Sequence, residues 1–124
     1  MKVLLSIKPE YANKILEGEK LFEFRKTVFK NPLVKTVIIY ATMPVGKVIG
    51  EFEIDEVLSD QPNKVWSLTS EFAGISKIFF NEYFQGREKA YAIKVREPKR
   101  YHEPIELKNI LQNGIAPQSF CYLT

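Results

Sequence analysis

Five stretches of the chain alternate apolar and polar residues at a period of two, the spacing of β-strands whose two faces differ. The first runs from Lys2 to Ile7, with Val3, Leu5 and Ile7 on one face and Leu4, Ser6 and the following Lys8 on the other. The second, Leu21 to Arg25, sets Phe22 and Phe24 against Glu23 and Arg25, with Lys20 at its mouth. The third covers about Val34 to Thr42 and gives Ile38, Tyr40 and Thr42 a common face. Pro44 and Gly46 turn it into the fourth, Val48 to Leu58, where Glu51, Glu53 and Asp55 alternate with Phe52 and Ile54, so the pair reads as a hairpin. The fifth, Lys89 to Val95, alternates Tyr91, Ile93 and Val95 with Ala92, Lys94 and Arg96.

Helical spacing fills the gaps. Pro9 suits the first position of a helix reaching about Glu17, with Ala12, Ile15 and Leu16 as its apolar stripe and Gly18 as its stop. Pro62 to Leu68 reads as a short helix, and Ser76 as the cap of another that reaches Phe84 and buries Ile78, Phe79, Tyr83 and Phe84. Pro98 and Pro104 break the regular pattern. Leu107 to Leu111 reads as a helical turn, and Ser119 to Leu123 as a closing strand. No repeat, low-complexity tract or linker interrupts the pattern. The expectation is one α+β domain over residues 1–124: a small mixed β-barrel of five to six strands with peripheral helices.

Composition narrows the function classes. Apolar residues make up 45% of the chain and aromatics 13%, which excludes disorder. Eighteen Lys and Arg against fifteen Asp and Glu leave a net charge of +3, compatible with nucleic-acid binding without requiring it. The acids gather at Glu51, Glu53, Asp55, Glu56 and Asp60, and the bases at Lys20–Lys35 and Lys94–Arg100, a separation expected to give one positive face. Cys121 is the single cysteine, so no intrachain disulfide forms, which suits a cytoplasmic location. With one cysteine and one histidine, His102, the chain builds no zinc site of its own. The apolar run Val3-Leu4-Leu5 is too short for a signal peptide or a membrane span. No metal or cofactor is expected.

Several polar side chains interrupt otherwise apolar strands: Ser6 and Lys8 from the first, Lys20, Glu23 and Arg25 from the second, Tyr40 and Thr42 from the third. All lie near strand ends, so convergence on one mouth of a barrel is expected, a usual place for a ligand cleft. Glu23 and Arg25, two apart on one strand face, equally suit a simple pair with each other.

Gly18-x-Lys20-x-x-Glu23-x-Arg25 is similar to the G-x-K-x-x-E-x-R signature of the ASCH domain family, the activating-signal-cointegrator homology domains. The flanks resemble stand-alone prokaryotic members: Ser6-Ile7-Lys8-Pro9, Ile39-Tyr40-Ala41-Thr42, Val48-Ile49-Gly50, Tyr91-Ala92-Ile93 and Pro117-Gln118-Ser119-Phe120. The resemblance implies a PUA-like fold that binds RNA or a modified nucleotide and acts in RNA metabolism or transcriptional regulation. It also implies a cleft holding Lys8, Lys20, Glu23 and Arg25, with Ser6, Tyr40 and Thr42 as neighbours.

These residues suit that chemistry: Lys20 and Arg25 for phosphate, Glu23 for an exocyclic amine, Tyr40 for stacking on a splayed base. Some small bacterial relatives deacetylate N4-acetylcytidine with a lysine followed three positions later by a nucleophilic threonine. Here Lys20 matches, but Glu23 stands in the threonine position. An enzyme built on this chain would therefore use Lys20 and Glu23 differently, as an oxyanion stabiliser and a general base, and ribonuclease activity belongs to the same set of readings. Double-stranded DNA is an unlikely partner, because no helix is basic enough to enter a major groove; single-stranded or looped RNA is the better expectation.

Overall fold

In the computed structural model, which describes residues 1–123, the period-two segments form one mixed sheet of six strands. They are β1 (Lys2–Ile7), β2 (Phe22–Arg25), β3 (Thr36–Ala41), β4 (Lys47–Asp60), β5 (Ala90–Ile105) and β6 (Phe120–Leu123), in the order β2-β5-β4-β3-β1-β6. β1 and β3 run parallel, and every other neighbouring pair is antiparallel. The helices are α1 (Pro9–Leu16), α2 (Pro62–Thr69) and α3 (Lys77–Tyr83). Pro9 opens α1, whose Ala12 and Ile15 are fully buried, and Gly18 follows it with φ +83°. Ser76 caps α3: its hydroxyl oxygen accepts from the Phe79 N–H at 3.1 Å.

The side chains form three apolar clusters. Ala12 and Ile15 of α1 pack on Val3, Leu5, Ile7, Val37, Ile39 and Ile93. Val65 of α2, Phe80 of α3 and Phe84 just after it form a second cluster with Phe22, Phe24 and Ala92 of β2 and β5. Leu107, from the 3-10 turn Leu107–Asn109, joins a third with Leu4, Ile38, Tyr40 and Val48.

Three expectations need correction. The sheet is not a closed barrel, since its ends, β2 and β6, do not pair. β2 has only four residues, and Arg25 at its end bridges the opening in place of a ladder. Its Nη1 donates to the Ser6 carbonyl at 3.2 Å and its Nη2 to the Ser119 carbonyl at 2.9 Å. β5 also continues past Val95, through Pro98 and Pro104, to Ile105. Beyond Lys94 it has lost β2 as a neighbour, so a residue without an N–H leaves no ladder bond unmade on that side. In α3, Ile78 is 73% exposed and Phe80 takes the buried position.

The charge separation also differs from expectation. β4 and β5 are neighbours, and their register sets Glu51 opposite Lys99 and Glu53 opposite Arg96, while Asp55 pairs with Lys94 at 3.4 Å. The acidic row and the second basic group therefore offset each other.

Gly50 in β4 lies under the end of α1. A Cβ there would meet the Lys99 carbonyl oxygen at 2.6 Å and the Leu16 methyls at 2.8 and 2.9 Å. Gly50→Ala is expected to destabilise the fold by about 2 kcal/mol through overpacking. Differential scanning calorimetry reads this as a lowered Tm, and an unchanged Tm contradicts the close approach.

Candidate functional site

Strand pairing sets the chemistry of β2. Glu23 lies opposite Ile93 of β5, so its carboxylate is carried onto the apolar face of the sheet. A charge placed there needs a partner, and Arg25, on the same face two residues on, supplies one. Arg25 Nη1 donates to Glu23 Oε2 at 3.1 Å, with both side chains largely buried. Glu23 Oε1 accepts no hydrogen bond from the protein among the described residues.

Lys20 is more deeply enclosed, at 1% exposure. The turn after Phe72 wraps it: Leu21 N–H donates to the Phe72 carbonyl at 3.0 Å, and Lys20 Nζ donates to the Ala73 carbonyl at 2.6 Å. Gly74 has φ +71°, and a Cβ on it would lie 2.6 to 2.9 Å from the Lys20 side chain, so the turn closes only over glycine. The ammonium sits 4.7 Å from the Phe24 ring centre and 5.4 Å from that of Tyr11. That hydrogen bond is the single one Lys20 Nζ makes among the described residues, and Glu23 forms its ion pair with Arg25 instead. Burial pushes the Lys20 ammonium down to about 8; Glu23 opposes the shift and Lys14 adds to it.

Ser6, Lys8, Lys20 and Glu23 line one cavity of about 130 Å³. Its remaining wall is apolar and aromatic: Ile7, Tyr11, Phe24, Ile75, Phe79 and Tyr83. The Tyr11 and Phe79 rings lie 5.7 Å apart at 59°, and Lys8 Nζ stands 5.8 Å above Phe79. Burial raises the Tyr11 hydroxyl, helped by Glu10 and Glu23. Burial likewise raises that of Tyr83, with Arg25 opposing. Both phenols therefore stay protonated near neutral pH. The arrangement offers one dischargeable ammonium, one carboxylate oxygen and several ring faces to a planar polar ligand.

The other sequence-derived candidates lie elsewhere. Arg25 stands behind Glu23, tied to Glu23, Ser6 and Ser119, which leaves its guanidinium a clamp between strands. Tyr40 is the register neighbour of Ser6, yet its ring packs with Leu4, Ile38, Val48 and Leu107 and does not line the cavity. Thr42 follows β3: its N–H donates to the Ile7 carbonyl at 3.0 Å, and its carbonyl accepts from Val45. The sequence reading missed Tyr11, Ile75, Phe79 and Tyr83 as cavity wall. The signal for two of them was present: Phe79 and Tyr83 are four apart and share a helix face, offset from the buried pair Phe80 and Phe84.

Among the described residues, no group of three or more His, Cys, Asp or Glu side chains is placed to hold a metal, and no helix is long and apolar enough to cross a membrane.

Comparison with known proteins agrees with the motif. The ASCH domain model matches residues 5–99. An "ASCH domain-containing ribonuclease" of Zymomonas mobilis is 34% identical, over 98% of this chain and 84% of that protein. The crystal structure of ASCH from Zymomonas mobilis superimposes with a TM-score of 0.92 at 34% identity, covering 99% of this chain and 87% of that one. The N-terminal domain of Staphylothermus marinus McrB shares the fold with a TM-score of 0.56 at 12% identity, over 96% and 86% of the two chains.

The Lys20 environment gives stability a pH signature. The unfolded chain holds this proton to about pH 10.5, the folded chain only to about pH 8. Between those values the unfolded state binds more protons, so Lys20 makes stability rise with pH by on the order of 3 kcal/mol. Below pH 8 that contribution is absent, because both states are protonated. Urea unfolding from pH 7 to 10.5 is expected to show the rise in the native chain relative to Lys20→Met; parallel curves contradict the buried ammonium.

Proposed function

Because the chain belongs to the ASCH domain family, we propose that it binds single-stranded or looped RNA, seats one nucleotide at the Lys20–Glu23 cavity and cleaves the strand there. The observation that carries this reading is Lys20, fully buried at the cavity of about 130 Å³ and discharging at about pH 8, with Glu23 lining the same cavity and its Oε1 accepting no hydrogen bond among the described residues. A group discharging near working pH serves proton transfer best. The aromatic wall accepts a base unstacked from a strand, and the ribonuclease named among the relatives, 34% identical over nearly the whole chain, supports RNA as the substrate. On this reading residues 1–124 act as one domain, and the single cysteine suits action in the cytoplasm.

The step balances without a co-reactant. Glu23 takes the proton of a ribose 2′-hydroxyl as that oxygen bonds to phosphorus. The bond from phosphorus to the 5′-oxygen breaks, and the Lys20 ammonium gives its proton to the departing oxygen. The products are a 2′,3′-cyclic phosphate and a free 5′-hydroxyl.

A second reading is binding without turnover, as a regulator of transcription or RNA metabolism. The Arg25–Glu23 pair favours it, because a guanidinium at 3.1 Å holds the carboxylate as an anchor. Hydrolysis of a modified nucleoside such as N4-acetylcytidine uses the same two groups, with Glu23 activating water.

End-labelled single-stranded RNA, duplex DNA and N4-acetylcytidine, each incubated with pure protein, separate these readings. Cleavage of RNA is expected, reduced about 100-fold or more in Lys20→Met and in Glu23→Gln, and declining above about pH 8 as Lys20 discharges. RNA binding unaccompanied by any product establishes the regulatory reading, and conversion of acetylcytidine alone establishes the amidohydrolase.

A further inference from the structure

The end of β2 and the start of β5 meet as antiparallel neighbours, with Arg25 opposite Tyr91. The residues that follow the one and precede the other are therefore side by side, although some sixty positions separate them in the chain. Lys26 and Lys30 come from the first segment, Arg87 and Lys89 from the second, and together they line an open groove of about 600 Å³ floored in part by Tyr91. Glu88 is the one acid in its lining. None of these four cations takes part in the ion pairs found among the described residues, which are Glu10–Lys14, Glu23–Arg25, Lys47–Glu106 and Asp55–Lys94. On the β4–β5 ribbon, by contrast, acids and bases stand opposite one another.

The groove adjoins the cavity. Lys26 Nζ stands 4.8 Å from the ring centre of Tyr83, and Tyr83 is part of the cavity wall. Arg87 and Lys89 also border a second hollow, but there Asp60 and Glu88 together offset the two cations.

Resting on the RNA reading above, we propose that this groove carries the sugar-phosphate backbone of a single RNA strand. The strand leaves the Lys20–Glu23 cavity past Tyr83 and runs over Lys26, Lys30, Arg87 and Lys89. The cations hold successive phosphates, and the exposed part of Tyr91 offers a ring to a base. The patch explains how a chain with a net charge of only +3 presents a local anion track.

The test compares two variants of equal charge change. One replaces Lys30, Arg87 and Lys89 by alanine; the other replaces Arg96, Lys99 and Arg100 on the β5 ribbon. Binding of a labelled single-stranded RNA dodecamer is measured by fluorescence anisotropy from 50 to 200 mM salt, with cleavage of a dinucleotide as the short-substrate control. Each phosphate that the protein no longer neutralises lowers the slope of log K against log salt by about 0.7, so the groove variant is expected to lose about 2 from the slope and roughly 100-fold in affinity at 100 mM salt. It keeps dinucleotide cleavage, and the ribbon variant keeps both slope and affinity. If the native protein binds and cleaves RNA while the groove variant retains its slope, or both variants lose equally, the groove assignment is overturned and the cavity reading stands. If the native protein neither binds nor cleaves RNA, both fall.

Discussion

The structure is organised around an ammonium removed from water. Lys20 lies where three parts of the chain converge: the C-terminal end of α1, the start of β2 and the turn that links α2 to α3. The Lys20 N–H donates to the Lys14 carbonyl at 3.1 Å, Leu21 donates to Phe72, and Ala73 receives the Lys20 side chain. Gly74 permits the turn to lie against the lysine stem. Desolvating a charged amine is unfavourable, and one hydrogen bond with two aromatic faces offsets only part of that. An apolar residue of similar length would satisfy packing without the cost. A buried titratable group with a displaced titration, at a cavity, is the pattern that proton-transfer sites share.

The neighbouring ion pair does a different task. β2 is short, and the sheet ends on β2 and β6 without pairing them to each other. Arg25 spans that opening with hydrogen bonds to Ser6 and Ser119 while its Nη1 also holds Glu23. One side chain thus fixes the edge of the sheet and the orientation of the carboxylate. The motif Gly18-Glu19-Lys20-Leu21-Phe22-Glu23-Phe24-Arg25 accordingly divides into a helix stop, a buried ammonium, a core-facing pair of phenylalanines, an oriented carboxylate and a strand clamp.

Much of this was legible in the chain. Period-two alternation located β1 to β5, Pro9 and Gly18 marked the ends of α1, and Ser76 marked the start of α3, because each signal is local. The spacing of Lys20 and Glu23 and the family motif drew attention to two residues that the fold sets at one cavity. What failed was long-range. Tyr40 shares a strand face with polar neighbours, and the cluster that buries it draws in Leu107 from nearly seventy residues downstream. The extension of β5 through two prolines depends on where β2 stops. The apparent separation of acids from bases disappears once β4 and β5 pair. Sheet closure turns on the length of β2, which alternation alone does not set.

The most direct test of the account is the titration of the Lys20 side chain itself, followed by carbon-detected NMR of its ε-methylene with and without a single-stranded RNA oligonucleotide. The free protein's midpoint is expected near 8, and it rises when RNA phosphate approaches the ammonium. A midpoint at the ordinary lysine value, or one that RNA leaves unmoved, contradicts it.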